Sequence, residues 1–162
     1  MDAIDAWHEF NVAMLGGTAA LAGLVIVAVS VNIEVVIKAA ALTTRVAAGI
    51  AGLVLAIVVC AVGLFPGLDP VAYGVVVAAA ALLTAGFGAA ASVRIYQNRD
   101  AANRLRAGKS ASTLLAPVAY FVGGILLTAG AAGGLVWLGV GAIIAIVAAL
   151  FVSWVVLVEV LR

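Results

Sequence analysis

Five long apolar segments dominate the pattern of hydrophobic and polar positions, and short groups of polar, proline or glycine residues separate them. About 20 apolar residues in a helix cross a hydrocarbon core of roughly 30 Å, and each segment meets or approaches that length. The pattern predicts an all-α fold, a polytopic membrane helix bundle with five transmembrane helices. These predicted spans lie at about 12–33, 46–65, 71–93, 113–131 and 135–158.

The last two segments form a nearly continuous apolar run, which is too long for one span. The glycine-rich sequence at 129–134 predicts a turn between them, because glycine tolerates the backbone conformations that a tight reversal needs. Four spans is the alternative count. Aromatic residues near the predicted boundaries, among them Trp7 and Tyr73, are expected to form interfacial belts.

The composition agrees with a membrane location. The 162 residues are 67% hydrophobic and 9% charged, whereas soluble domains are about 45–50% apolar and about 25% charged. Only short connections and termini remain outside the apolar segments, so we expect a single transmembrane domain over residues 1–162. The single cysteine, Cys60, excludes an intrachain disulfide and a cysteine-based metal site. No cofactor is expected.

A basic loop at 94–112 sets the predicted orientation, because it holds five of the eight Lys and Arg residues. Basic residues in short loops stay in the cytoplasm. With five spans, Lys38, Arg45 and Arg162 fall on the same side as this loop, so the N-terminus is predicted outside and the C-terminus cytoplasmic. A set of loop residues is also expected to contact anionic lipids or a partner protein. This set is Arg94, Arg99, Arg104, Arg106 and Lys109.

Small residues recur at about every fourth position along three of the predicted spans. This spacing lets helix backbones approach closely, and in lipid such packing is a main source of helix association. We expect these residues to form helix contacts within or between copies of the chain. They are Gly16, Ala20, Gly23, Gly52, Ala56, Gly141, Ala145, Ala149 and Ser153.

The first span carries the most polar side chains. Two interpretations are open: hydrogen bonds that join helices, or a water-filled path with an apolar constriction. The candidate polar face and constriction consist of Asn11, Thr18, Leu24, Val27, Ser30, Asn32 and Glu34.

Chemistry that needs ionisable groups is disfavoured, because no charged residue lies well inside a predicted span. No serine–histidine or paired-carboxylate site can be drawn within the membrane. Gly108, Lys109 and Ser110 match the end of a phosphate-binding loop, but Asn103 stands where that motif has its first glycine. We therefore predict a non-enzymatic protein without a nucleotide site, and we expect no nucleic-acid partner.

The first segment, GGTAALAGLVIVAVSVNIE, is followed by Arg45, and the chain ends in WLGVGAIIAIVAALFVSWVVLVEVLR. These sequences resemble an uncharacterised family of small multi-span actinobacterial membrane proteins. The resemblance implies a multi-pass protein of the bacterial plasma membrane. The stretch from Thr18 to Ala28 is also locally similar to the pore helix of Orai calcium channels, although Val31 stands where those channels have their selectivity-filter glutamate.

These observations favour a self-associating integral membrane protein, a homo-oligomer that could enclose a passive channel. The alternative is a small accessory or interaction subunit of a larger membrane complex, with the basic loop as its cytosolic contact.

Overall fold

The computed structural model describes residues 4–38, 40–97 and 106–160, and most of these residues are helical, with no strand among them. The prediction of an all-α fold is confirmed. A short 3-10 helix, Asp5–Trp7, leads into six α-helices. They are α1 (His8–Val31), α2 (Ile33–Lys38), α3 (Ala40–Val62), α4 (Pro70–Gln97), α5 (Arg106–Thr128) and α6 (Gly134–Val160).

Each of the five predicted segments overlaps one of the long helices. The predicted turn at 129–134 is confirmed, because α5 ends at Thr128 and α6 begins at Gly134, with Gly130 at a φ of 78°. Helix occupies both ends of the segment that we predicted as a basic loop, since α4 extends to Gln97 and α5 begins at Arg106.

Four helices in the described part of the chain are long and apolar enough to cross a membrane. The apolar part of α5 is shorter, Leu114–Thr128, because the first two turns of this helix carry the polar sequence RAGKSAST. The count of five spans therefore remains a prediction. The membrane-competent stretches are Asp5–Val31, Leu42–Val62, Pro70–Ala89 and Gly134–Trp154.

A pair of glycines in α5 lets this helix pack tightly between α4 and α6. A Cβ atom on Gly124 would lie 2.8 Å from the carbonyl oxygen of Gly74 in α4. A Cβ on Gly123 would lie 2.9 Å from the carbonyl oxygen of Gly134 in α6. The backbones are thus close enough to exclude side chains, and α5 runs antiparallel to both neighbours. Gly74 of α4 lies beside Thr128 of α5, and Ala78 of α4 lies beside Gly124 of α5. Later residues of α4 therefore meet earlier residues of α5, so the two helices are antiparallel.

Helix α3 lies at the centre and packs against α1, α4, α5 and α6, with Leu53 and Ala56 fully buried. Helix α1 lies at the periphery, against α3 and α6. Only 17% of its apolar window is buried, compared with 44% for α3. Much of α1 therefore faces the surroundings of the chain.

The N-terminal segment packs onto one end of the bundle. Ile4 is buried in the same apolar cluster as Leu135 at the start of α6. The rings of Trp7 and Phe10 meet edge to face with their centroids 5.3 Å apart, and Trp7 approaches the position of a Cβ on Gly139 to 2.9 Å. We call this the N-terminal end of the bundle. The turns at 63–69 and 129–133 lie at the same end.

The opposite end contains α2, and we call it the α2 end. Asn32 terminates α1, where its side-chain amide donates a hydrogen bond to the carbonyl of Ala28 at 2.9 Å. The hydroxyl of Thr43 in α3 donates to the carbonyl of Val36 at 2.6 Å, which ties α2 to α3. The fold therefore reverses between α1 and α3 through a short helix rather than an open loop.

Candidate functional site

A buried group of polar side chains lies inside the bundle towards its N-terminal end. It consists of Asn11 from α1, Cys60 from α3, Tyr73 from α4 and Tyr120 from α5, and we call it the buried polar cluster. Tyr73 and Tyr120 belong to one cluster of buried residues, and Cys60 follows Val59, whose carbonyl accepts a hydrogen bond from Tyr73. Four helices thus contribute one polar side chain each to a single region.

Tyr73 provides a hydrogen bond between helices. Its hydroxyl donates to the carbonyl of Val59 in α3 at 2.9 Å. Gly63 makes room for this contact, because a Cβ there would lie 2.7 Å from both the Tyr73 hydroxyl and the Asn11 amide nitrogen. Glycine at position 63 therefore lets α1, α3 and α4 meet. The expected interfacial role of Tyr73 is wrong, since only 1% of this residue is exposed.

Tyr120 is fully buried, and its ring lies against Gly141 of α6, where a Cβ would be 3.0 Å from two ring carbons. Its hydroxyl finds no hydrogen-bond partner among the described residues. A buried hydroxyl without a partner costs about 1–3 kcal/mol. The ring therefore stabilises the packing of α5 on α6, whereas the hydroxyl does not.

The chemistry available to this cluster is narrow. It combines two phenols, a thiol and an amide, with no carboxylate or imidazole to act as a base. The part of the chain that the structure describes has no group of three His, Cys, Asp or Glu residues able to hold a metal ion. The contact that the arrangement does supply is the hydrogen bond from Tyr73 to α3, which joins two helices.

The predicted polar face of the first span is divided between two sides of α1. Asn11 and Thr18 are buried, whereas Leu24 and Val27 are 68% and 60% exposed on the outside of the bundle. The Thr18 hydroxyl donates to the carbonyl of Met14 in its own helix at 2.6 Å. These residues therefore do not line one common surface within a single chain.

The remaining polar residues of this set lie towards the α2 end. The hydroxyl of Ser30 donates to the carbonyl of Ile26 at 2.8 Å, and Asn32 bonds to Ala28 as described above. Ser30 and Glu34 are exposed, and Asn32 is partly buried. Ser30 and Asn32 satisfy a backbone carbonyl of their own helix, so neither hydrogen bond joins two helices.

The predicted packing residues fall into two groups. Those of α3 and α6 lie inside the bundle, where Ala56 and Ala145 belong to one apolar cluster and Ala149 packs with Leu53. Gly141 is buried against Tyr120, whereas Gly52 and Ser153 are partly buried.

The small residues of α1 behave differently. Gly16, Ala20 and Gly23 are exposed, and no atom lies within 4 Å of a Cβ placed on either glycine. They form an outward face of α1 that also includes Val27 by helical spacing. No described residue of the chain packs beside either glycine of this face.

The predicted lipid-contact residues stay a prediction. Arg99 and Arg104 lie outside the described residues, and the side chains of Arg94, Arg106 and Lys109 are also outside the described part.

Sequence reasoning missed the glycines that bring helices together, among them Gly63, Gly74, Gly123 and Gly124. The only signal available was the paired glycine at 123–124, which stands inside an otherwise bulky apolar run. Tyr73 was predicted at an interface because tyrosine in a membrane helix is usually placed there, and Tyr120 was given no role.

The fold is that of an all-helical protein with four helices able to cross a membrane. Comparison of the chain with protein-family models, curated proteins and solved structures finds no match. Function is therefore inferred from the residues of this chain alone.

Proposed function

We propose that this chain is a non-enzymatic, five-span membrane protein that assembles with copies of itself through the outward face of α1. The observation that carries the proposal is the repeat of exposed small residues, Gly16, Ala20 and Gly23, along one face of α1. Both glycines lie in the middle of a helix, yet no atom of the described chain occupies the space beside them. Glycine in a helix interior costs roughly 1 kcal/mol relative to alanine, so a helix gains from it only where a neighbour packs closely.

Other helices of the same chain support this interpretation. On α3, Ala56 is fully buried in the apolar core, and on α6 Ala145 is 2% exposed in the same cluster. Small residues at this spacing therefore accompany helix contacts elsewhere in the bundle. The outward face of α1 has no such contact with the residues that the structure describes, and a second α1 would present the same surface to it.

The packing of α5 supports five spans. This helix lies between α4 and α6, contacts both through glycines, and runs antiparallel to both. If α4 and α6 cross the bilayer, α5 lies at the same depth between them and crosses the bilayer in the opposite direction. The tight contacts with its neighbours offset the short apolar stretch Leu114–Thr128.

The proposed orientation follows from charge. The basic residues fall at the α2 end and the connection between α4 and α5, which we place in the cytoplasm. The N-terminal end, with Asp69 in its turn, faces outside. The resemblance of the first and last segments to actinobacterial proteins supports a bacterial plasma membrane.

Topology can be tested by cysteine labelling in a Cys60→Ser background. We expect a cysteine at Asp69 or Gly133 to react with an impermeant reagent from outside, and a cysteine at Asn103 to react only after permeabilisation. Labelling at position 133 from the cytoplasmic side would contradict the five-span arrangement.

Self-association can be tested by counting subunits in liposomes by single-molecule photobleaching over a range of protein-to-lipid ratios. We expect an oligomer, and we expect Ala20→Leu to weaken it about tenfold or more because a bulky side chain holds the two backbones apart. Gly86→Leu is a matched control, since Gly86 is also exposed in a long helix and nothing lies within 4 Å of its Cβ position.

A monomeric wild-type chain at all ratios would refute self-association and favour the accessory-subunit alternative. Equal losses from Ala20→Leu and Gly86→Leu would show that added bulk, and not the outward face of α1, is responsible.

A passive pore is one form that such an assembly can take. Leu24 and Val27 lie on the outside of the single chain, so only an assembly can place them around a common axis. In that form they are an apolar constriction, and Val27→Ser should increase ion flux into liposomes. Flux equal to that of empty liposomes in both proteins would remove the pore and leave self-association intact.

A further inference from the structure

Arg45 occupies an unusual position for a charged residue. It lies within the membrane-competent stretch Leu42–Val62, close to its beginning at the α2 end, and it is partly buried. Its Nε atom is buried and donates to no acceptor among the described residues. A charged donor held at this depth is costly unless an oxygen acceptor approaches it.

A narrow apolar crevice begins one turn further along the same face of α3. Ala48, Gly49 and Gly52 follow Arg45 at the i+3, i+4 and i+7 positions, so they lie on its side of the helix. They line a partly open cavity of about 20 Å³ together with Ala116 of α5 and with Ala148 and Val152 of α6. A guanidinium with an unpaired buried nitrogen and a crevice formed by three helices therefore lie about one turn apart on the same side of α3.

We propose that Arg45 and this crevice bind one anionic phospholipid, with a headgroup phosphate oxygen on the guanidinium and the start of an acyl chain along the crevice. The guanidinium presents planar, fixed donors that match phosphate oxygens, and the lipid phosphate lies at the depth where hydrocarbon meets the headgroups. At about 20 Å³ the crevice is too small to enclose an acyl chain, so the start of the chain lies along its opening, beside Gly49, Ala148 and Val152.

This site differs from nonspecific attraction to a basic surface. Lys38 lies at the same end of the bundle and carries the same charge, but its side chain is exposed. None of the residues that line the crevice follows Lys38 by three, four or seven positions, as they follow Arg45. Removing its charge therefore serves as a matched control for removing that of Arg45.

The test uses the full chain, purified, stripped of lipid and reloaded with equal amounts of phosphatidylglycerol and phosphatidylcholine of identical acyl chains. Native mass spectrometry counts the retained lipids. We expect retention of one phosphatidylglycerol, and we expect Arg45→Gln to weaken it about fivefold, the equivalent of about 1 kcal/mol per basic residue. Lys38→Gln should change it less than about twofold, because that charge is exposed and solvated.

Two further variants separate the parts of the site. Arg45→Lys keeps the charge without the planar donors, and we expect it to retain less phosphatidylglycerol than the wild-type chain but more than Arg45→Gln. This variant still tests the proposal if Arg45→Gln fails to fold. Ala148→Leu fills the crevice and should lower phosphatidylglycerol retention with every charge in place. No effect of Ala148→Leu would refute the role of the crevice.

Several outcomes would overturn the proposal. Equal retention of the two lipids by the wild-type chain would do so without any variant, and so would equal losses from Arg45→Gln and Lys38→Gln. Stabilisation by inorganic phosphate equal to that by phosphatidylglycerol would identify a free ion as the ligand. Increased lipid retention in Glu159→Gln would show that this carboxylate, whose side chain is not among those described, already neutralises Arg45.

Discussion

The contact between α4 and α5 offers the sharpest test of the packing, through the substitution Gly124→Ala. The added Cβ would lie 2.8 Å from the backbone nitrogen of Ala78 and 2.8 Å from the carbonyl oxygen of Gly74. Both are backbone atoms, so no change of rotamer can relieve the overlap. The two helices must separate by about half an ångström, which weakens dispersion contacts along their whole interface.

Overpacking of this kind costs about 1–3 kcal/mol. We expect Gly124→Ala to lower the free energy of unfolding by that amount, measured by equilibrium unfolding in mixed micelles of a mild detergent and SDS. In a thermal assay the same loss corresponds to a decrease in Tm of roughly 2–4 °C per kcal/mol for a chain of this size.

Gly86→Ala in α4 is the matched control, because nothing lies within 4 Å of its Cβ position. It should leave stability unchanged or raise it slightly, since alanine has the higher helix propensity. Unchanged stability of Gly124→Ala, or an equal loss in Gly86→Ala, would refute the close approach of the two backbones.

Two further predictions use the same unfolding measurement. Tyr73→Phe removes the hydrogen bond to the Val59 carbonyl and should lower the free energy of unfolding by about 0.5–1.5 kcal/mol. Tyr120→Phe removes a hydroxyl without a partner among the described residues, so it should be neutral or stabilising. Equal losses of stability in the two variants would contradict the assignment of these hydroxyls. Thr18→Val should cost less than about 1 kcal/mol, because the hydroxyl bonds only to carbonyls of its own helix. A larger loss with weakened self-association would instead mean that Thr18 bonds to another helix.

The positions of the helices could be predicted from the sequence because span length depends on one physical quantity, the thickness of the hydrocarbon layer. The rotation of each helix about its own axis could not. In a soluble helix a polar stripe marks the exposed side, but a membrane helix is apolar towards both lipid and protein. Leu24 and Thr18 illustrate the problem, since the more apolar of the two faces outward and the hydroxyl faces the core.

The role of each glycine was equally hidden. Gly16 and Gly124 both stand in glycine pairs within apolar segments, yet one has open space beside it and the other meets two backbone atoms of α4. The difference lies in the partner helix, which is remote in sequence, and not in the local pattern. Likewise, the local pattern around Tyr120 does not indicate that its ring packs on Gly141 of α6.

The packed N-terminal segment has a practical consequence for work on this protein. With Ile4 in the apolar core and Trp7 over Gly139, a tag fused close to Ile4 would compete with this docking, so tags belong at the other end of the chain. The same geometry supplies a native optical probe. Trp7 is held against Phe10 and a glycine backbone, so its emission spectrum should shift when the segment undocks, without any introduced label.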